Sequence, residues 1–131
     1  MPSRPIDCKK VMLVDDDADV RESVTEVLED EGYTLATARN GREAIELLRS
    51  PASTTMPCLI LLDLMMPVMN GLEFRREQMR DAELASIPVL VFSADGNADG
   101  KASALRVAGC LRKPVRLDEV LDAIARHCVG A

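Results

Sequence analysis

Apolar and polar residues alternate in blocks along this chain, and the blocks switch between two periods. "VMLV" (11–14) is an unbroken apolar run, the pattern of a strand buried on both faces. Val20, Val24, Val27 and Leu28 then recur at i, i+4, i+7 and i+8, which predicts a helix, and Gly32 suits its end. "YTLATA" (33–38) alternates as a strand does. Asn40-Gly41 predicts a turn. A second helix carries Ala44, Leu47 and Leu48 on one face and stops before Pro51. "SPASTTMP" (50–57) is a long polar loop, and "CLILL" (58–62) is the strongest strand pattern. "GLEFRREQMRDA" (71–82) reads as a charged helix whose "EFRREQMRD" face is solvated and laced by i,i+4 pairs. "PVLVFS" (88–93) is another strand, with Pro88 tolerated at its first residue. After "ADGNADG" (94–100) the pattern is weakest, with a helix over about 101–108 and a short strand "CLR" (110–112). "RLDEVLDAIARHC" (116–128) closes the series as an amphipathic helix with Leu117, Val120, Leu121, Ile124 and Cys128 inward.

Five strands therefore alternate with five helices. That order predicts an α/β fold: a parallel sheet covered by helices on both faces through right-handed crossovers. In such sheets ligands bind beyond the carboxyl ends of the strands. The residues found there are Asp15, Asp16 and Asp17 after the first strand and Asp63 at the end of the third. Ser93 and Ala94 end the fourth, and Lys113 and Pro114 follow the fifth. The second strand ends in Ala38-Arg39, which offers no obvious chemistry.

Composition narrows the classes. The chain has 131 residues, the size of one domain, and 47% are hydrophobic, enough for a core. Only 2% are aromatic, so that core must be aliphatic. A net charge of −6 argues against a nucleic-acid partner. No apolar run is long enough to span a membrane, and no apolar block follows "MPSRPIDCKK" as a secretory leader would need. Cys8, Cys58, Cys110 and Cys128 form no C-x-x-C pair and read as reduced cytosolic residues, not a zinc site.

The chemistry starts from "VMLVDDDADV" (11–20), where a buried strand runs into a cluster of like charge. Neighbouring carboxylates repel, so the cluster needs a counter-charge. It lacks the glycines of a phosphate-binding loop and carries the wrong sign for one. It suits a hard divalent cation, which prefers oxygen ligands. Asp63 suits a different role, since a carboxylate can attack phosphorus and form an acyl phosphate. Both partners in that reaction are negative, so charge neutralisation matters more than acid–base help. A cation on Asp15 and Asp16 supplies it on one side and Lys113 on the other, while the Ser93 hydroxyl can donate to a phosphoryl oxygen. Blander roles fit other residues. Asp17 reads as a helix N-cap. Met65, Met66 and Met69 read as loop packing, Cys110 as a small buried residue, and His127 as a partly exposed residue near a helix end.

With these residues assembled, the chain resembles the receiver domain of two-component response regulators, the CheY-like superfamily, over about 6–128. The resemblance rests on "LVDDD" (13–17), "LLDLMMPVMNGLEF" (61–74), "VFSA" (91–94) and "LRKPV" (111–115). It implies a flavodoxin-like (βα)5 fold, with strand order 2-1-3-4-5 in a single domain over 1–131. Asp63 matches the phosphorylated aspartate. Asp15 and Asp16 match the acidic pair that holds Mg2+ (or Mn2+), with Asp16 the closer ligand. Asp63 itself and the backbone carbonyl of Met65 complete the metal's protein contacts. Ser93 matches the switch hydroxyl, Lys113 the site lysine, and Pro114 a proline preceded by a cis peptide. Cys110 stands where the family carries the aromatic half of its switch, a departure that bears on how phosphorylation reaches the outer surface.

The resemblance implies a signalling phosphoacceptor in the cytoplasm, not an enzyme beyond slow self-catalysed phosphotransfer and autodephosphorylation. Its partner is a sensor histidine kinase or histidine phosphotransfer protein, with no nucleic acid and no membrane. A phosphorylation-linked homodimer and the downstream target stay open. No effector segment follows the last helix, which reads as a stand-alone regulator or a receiver excised from a larger regulator or hybrid kinase. One rival is a phosphatase or mutase with an aspartate nucleophile. It would want a second acid two residues after Asp63, where Met65 stands. A second rival is a receiver-like interaction module that is never phosphorylated.

Overall fold

The structure, a computed structural model, describes residues 4–93, 106–114 and 116–128. Five strands form one parallel sheet: β1 (Ile6–Val14), β2 (Thr34–Ala38), β3 (Met56–Asp63), β4 (Val89–Ser93) and β5 (Gly109–Arg112). Their order is β2-β1-β3-β4-β5, the flavodoxin-like arrangement expected from the sequence. The described helices are α1 (Ala18–Asp30), α2 (Gly41–Arg49), α3 (Gly71–Met79), a single turn α4 (Ala82–Ala85) and α5 (Leu117–His127). The helix expected over about 101–108 lies mostly outside the described residues.

Two aliphatic layers hold the sheet. On one face Met12, Val14, Ile60, Leu62, Val89 and Val91 pack with Ala44, Ile45 and Leu48 of α2 and Phe74 of α3. On the other, Val11, Leu13, Leu59, Leu61, Leu90 and Phe92 pack with Val24 and Leu28 of α1 and Val120, Ala123 and Ile124 of α5. β3 is central, and all eight of its residues are buried, which is why "CLILL" carries so clear a pattern.

Several local expectations change. Asn40-Gly41 is a helix start: the Asn40 side chain accepts from Glu43 N at 2.9 Å, capping α2. Leu47 is exposed, and Ile45 takes the inward position. β1 begins at Ile6, well before "VMLV", because Ile6 and Asp7 pair with Met56 and Pro57 across a register irregularity that ends at Val11. The solvated face expected for the charged helix is only partial. Arg75 and Gln78 of α3 are buried; Gln78 Nε2 donates to Leu84 O at 2.8 Å and Ile87 O at 3.0 Å. Arg75 Nη1 donates to Gln78 Oε1 at 2.7 Å, and its Nη2 to Arg106 O at 3.1 Å. A helix with so few apolar residues buries polar ones, provided each finds a partner.

The reading of all four cysteines as reduced is also corrected. Cys58 of β3 and Cys128 at the end of α5 form a disulfide, with Cα atoms 5.4 Å apart and a sequence separation of 70. Sequence spacing could not reveal it, because the pairing depends on how α5 lies against β3.

Candidate functional site

The carboxyl ends of β1, β3 and β5 bring the predicted charges together. β1 ends at Val14, and Asp15 follows with its backbone N–H donating to Ala38 O at 3.1 Å. Asp15 is fully buried. Its Oδ1 accepts from Asp17 N at 2.9 Å, which folds the acidic loop into a tight turn. Asp17 caps α1, as expected, accepting from Asp19 N and Val20 N. Arg21 Nη1 donates to Asp15 O at 2.7 Å and ties the same turn to α1. Sequence reading missed Arg21; its signal was only a position four residues past Asp17. Asp16 is exposed at the tip of this turn.

Asp63 is the last residue of β3 and is 3% exposed. Its Oδ1 accepts from Met65 N at 3.2 Å. The chain then turns through Val68, at φ 68, to Asn70. Asn70 and Glu73 form a reciprocal capping box that starts α3. Gly71 is required here. A Cβ on it would lie 2.7 Å from Asp63 O and 2.8 Å from Leu64 Cα, so only glycine lets the helix start against the backbone that carries Asp63. Of the methionines, Met66 is buried, Met69 is partly buried against the α2/α3 core, and Met65 is 65% exposed.

Lys113 follows β5. Its Nζ lies 3.0 Å from Asp15 Oδ2 and 3.4 Å from Asp63 Oδ2, and 5.5 Å from the centroid of the Phe92 ring. The Lys113–Pro114 peptide is cis. Ser93 ends β4, one residue past Phe92, which is in register with Asp63. Cys110 pairs with Val91 and packs partly buried against the α2/α3 core.

The electrostatics follow from this crowding. Burial, and then the negative charge of Asp15, raise the Asp63 pKa from 3.8 to about 6, against the opposing pull of Met65 N–H and Lys113. For Lys113, burial alone would lower the pKa. Its contact with Asp15 and the charges of Asp63 and Asp15 outweigh that and leave it raised. One ammonium thus faces two of the three clustered carboxylates. Oxygens of Asp15, Asp16 and Asp63 lie within 4.8 Å of one another, and the buried Asp15 Oδ2 receives no aligned hydrogen bond. An all-oxygen set with surplus negative charge, one of its oxygens buried against a single ammonium, fits a hard divalent cation.

The family model of the response regulator receiver domain matches residues 11–125. The chain belongs to this family. It is 34% identical over 117 residues to the transcriptional regulatory protein CpxR homolog of Haemophilus influenzae, covering 88% of this chain and 48% of that protein. The chain thus spans about half the length of the curated relatives it matches. Among solved structures, the chemotaxis protein CheY4 of Vibrio cholerae shares 30% identity at a TM-score of 0.78, covering 90% of this chain and 97% of that one. The Mn(2+)-bound form of response regulator Rcp1 shares 28% identity at a TM-score of 0.72, covering 88% of each chain. Receiver domains are signalling modules of two-component systems, and this one has their sheet order and acidic pocket. Among the described residues, no helix is long and apolar enough to cross a membrane.

Proposed function

We propose that this receiver is a phosphoacceptor. Asp63 takes a phosphoryl group from the phosphohistidine of a sensor histidine kinase or histidine phosphotransfer protein in the cytoplasm. The new bond is Asp63 Oδ–P; the P–N bond breaks and its electrons leave on the histidine nitrogen. The observation that carries this reading is the placement of Lys113 Nζ within 3.4 Å of both Asp63 and Asp15, at the end of the central strand.

Each residue contributes something different to that reaction. Met65 N–H and Lys113 hold the two oxygens of Asp63 and fix its direction. Lys113 supplies positive charge where the phosphoryl oxygens gather. Ser93, at the end of the adjacent strand, donates its hydroxyl to one of them. Asp15, Asp16, Asp63 and the Met65 carbonyl would hold Mg2+ or Mn2+, which when bound neutralises the carboxylates and the incoming phosphoryl charge. With Met65 two residues beyond Asp63, no side-chain acid or base stands there for multiple-turnover chemistry, which favours a slow self-limited reaction over a phosphatase. Phosphorylation then shifts the population between two surface arrangements. Cys110 cannot swing as an aromatic would, so the output runs through other contacts.

The test is the intact mass of the protein incubated with acetyl phosphate, with Mg2+, with EDTA, and as Asp63→Asn. The reading expects one added phosphoryl group that needs both the metal and Asp63. No addition from acetyl phosphate or from a set of phosphohistidine donors would leave a receiver-like interaction module.

A further inference from the structure

We propose that Cys58 and Cys128 are a reversible thiol–disulfide pair, closed by exchange with a low-molecular-weight disulfide, that pins α5 to β3. The proposal stands apart from the phosphoacceptor reading, since neither sulfur touches the acidic pocket. Cys58 lies five residues before Asp63 on an extended strand, roughly 17 Å away.

Three observations carry it. The two Cα atoms are 5.4 Å apart, within the span a disulfide bridges without moving the backbone. Both states are accommodated: Cys58 Sγ lies 3.3 Å from Lys10 O and 3.5 Å from Cys8 O, so the reduced S–H finds carbonyl acceptors in place. Both sulfurs are buried, with Cys58 4% and Cys128 8% exposed, so exchange runs through a local opening that the surrounding chain permits. Cys128 is the C-cap of α5, held by one backbone bond from its N–H to Ile124 O, and helix ends open readily. Cys58 sits opposite the irregularity of β1: its neighbours Pro57 and Leu59 pair with Asp7 and Val11, leaving 8–10 as extra chain beside it. A disulfide inside a cell is usually transient and redox-sensing, which suits a pair with an acceptor ready for the open state.

The chemistry balances with glutathione disulfide as the oxidant. The Cys128 thiolate, exposed when the last turn of α5 opens, attacks it; a Cys128–glutathione bond forms and one glutathione thiolate leaves. The Cys58 thiolate attacks the Cys128 sulfur, the protein disulfide forms, and the second glutathione leaves. The two protein sulfurs lose two electrons, the small disulfide gains them, and the two thiol protons pass to the released glutathiones.

The bond closes a covalent ring that contains both Asp63 and Lys113. One arm is β3, which ends at Asp63; the other is α5, which starts four residues after Lys113. Oxidation therefore stiffens α5 at the end remote from the pocket.

The experiment equilibrates the full chain across a series of glutathione disulfide to glutathione ratios, traps thiols by alkylation, and maps the bridge by mass spectrometry. Amide exchange is read on 117–127. The expected result is a bridge between Cys58 and Cys128 that opens and closes within the series. Exchange over α5 is slower by about tenfold in the closed form. Cys128→Ser, at a helix cap and away from the central strand, abolishes the bridge, and Cys8→Ser with Cys110→Ser leaves it intact. Alkylation of both residues at every ratio, a bridge to Cys8 or Cys110 instead, or a bond still closed at the most reducing ratio would each overturn the proposal.

Discussion

Lys113 and Asp15 form a half-buried ion pair, with Nζ 3.0 Å from a carboxylate that has no exposure to solvent. The ammonium offsets the cost of burying that carboxylate away from water. Replacing one partner of such a pair strands the other. Lys113→Met should cost about 2–4 kcal/mol of stability in EDTA at neutral pH, by analogy with other broken buried pairs. Mg2+ should restore part of that loss, since it would take over the neutralisation. Urea unfolding with and without the metal measures both effects. An unchanged midpoint in EDTA would show that Asp15 does not depend on Lys113.

The raised pKa of Asp63 gives a pH prediction with a definite sign. The folded chain holds this proton up to about pH 6, while the unfolded chain releases it near 3.8. The folded state binds more protons between these values, so stability from this group falls as pH rises through that window. Above it, the charged carboxylate is a standing cost. Asp63→Asn should then stabilise the metal-free protein at pH 7.5 by about 1–3 kcal/mol, and the gain should shrink as pH falls through 6 and vanish below 3.8. Thermal melts across pH in EDTA read this directly. A gain that does not shrink between pH 7.5 and pH 4 would mean the cost is not one of charge.

Gly71 and Gly32 separate two reasons for glycine. At Gly32, φ is +93 and an added Cβ would meet nothing within 4 Å, so Gly32→Ala costs only backbone strain, about 1–2 kcal/mol. At Gly71 the new carbon meets the backbone of Asp63 and Leu64. Gly71→Ala should also displace Asp63 and slow phosphorylation by acetyl phosphate more than tenfold, a loss typical of an ångström-scale misplacement. Equal activity in the two variants would exclude a positioning role for Gly71.

Gln78 is a buried clasp. Its amide nitrogen serves Leu84 O and Ile87 O, and its oxygen receives Arg75. Gln78→Leu keeps the volume and removes all three bonds. It should destabilise by about 2–4 kcal/mol, because two buried carbonyls lose their donor and a buried guanidinium loses an acceptor. Denaturant unfolding tests this, with Arg76→Leu on the exposed side of α3 as the near-neutral control.

The sheet and the charged pocket were legible because each rests on local sequence. Unbroken apolar runs mark buried parallel strands, and strand ends then locate Asp15, Asp63 and Lys113 without any side-chain detail. What stayed hidden depends on partners distant in the chain. Arg75 and Gln78 look solvated until Leu84, Ile87 and Arg106 are placed beside them. Cys58 and Cys128 look unrelated until α5 is laid on β3. The start of β1 looks too polar for a strand, and only its pairing with Met56 and Pro57 makes it one. Asn40 misleads for a smaller reason: Asn-Gly signals a hairpin, and Asn before a periodic run signals a cap.

The two outermost positions of the sheet belong to β2 and β5, of five and four residues, while of the interior strands β1 and β3 have nine and eight and β4 has five. A sheet tapered in this way offers an approaching strand few open hydrogen-bonding groups, and Thr34, Thr37 and Arg112 stand exposed along those rims. The rims are poor templates for growth into a continuous ribbon. Association with other proteins is thereby directed toward helical surfaces and loops, and edge-to-edge polymerisation is disfavoured.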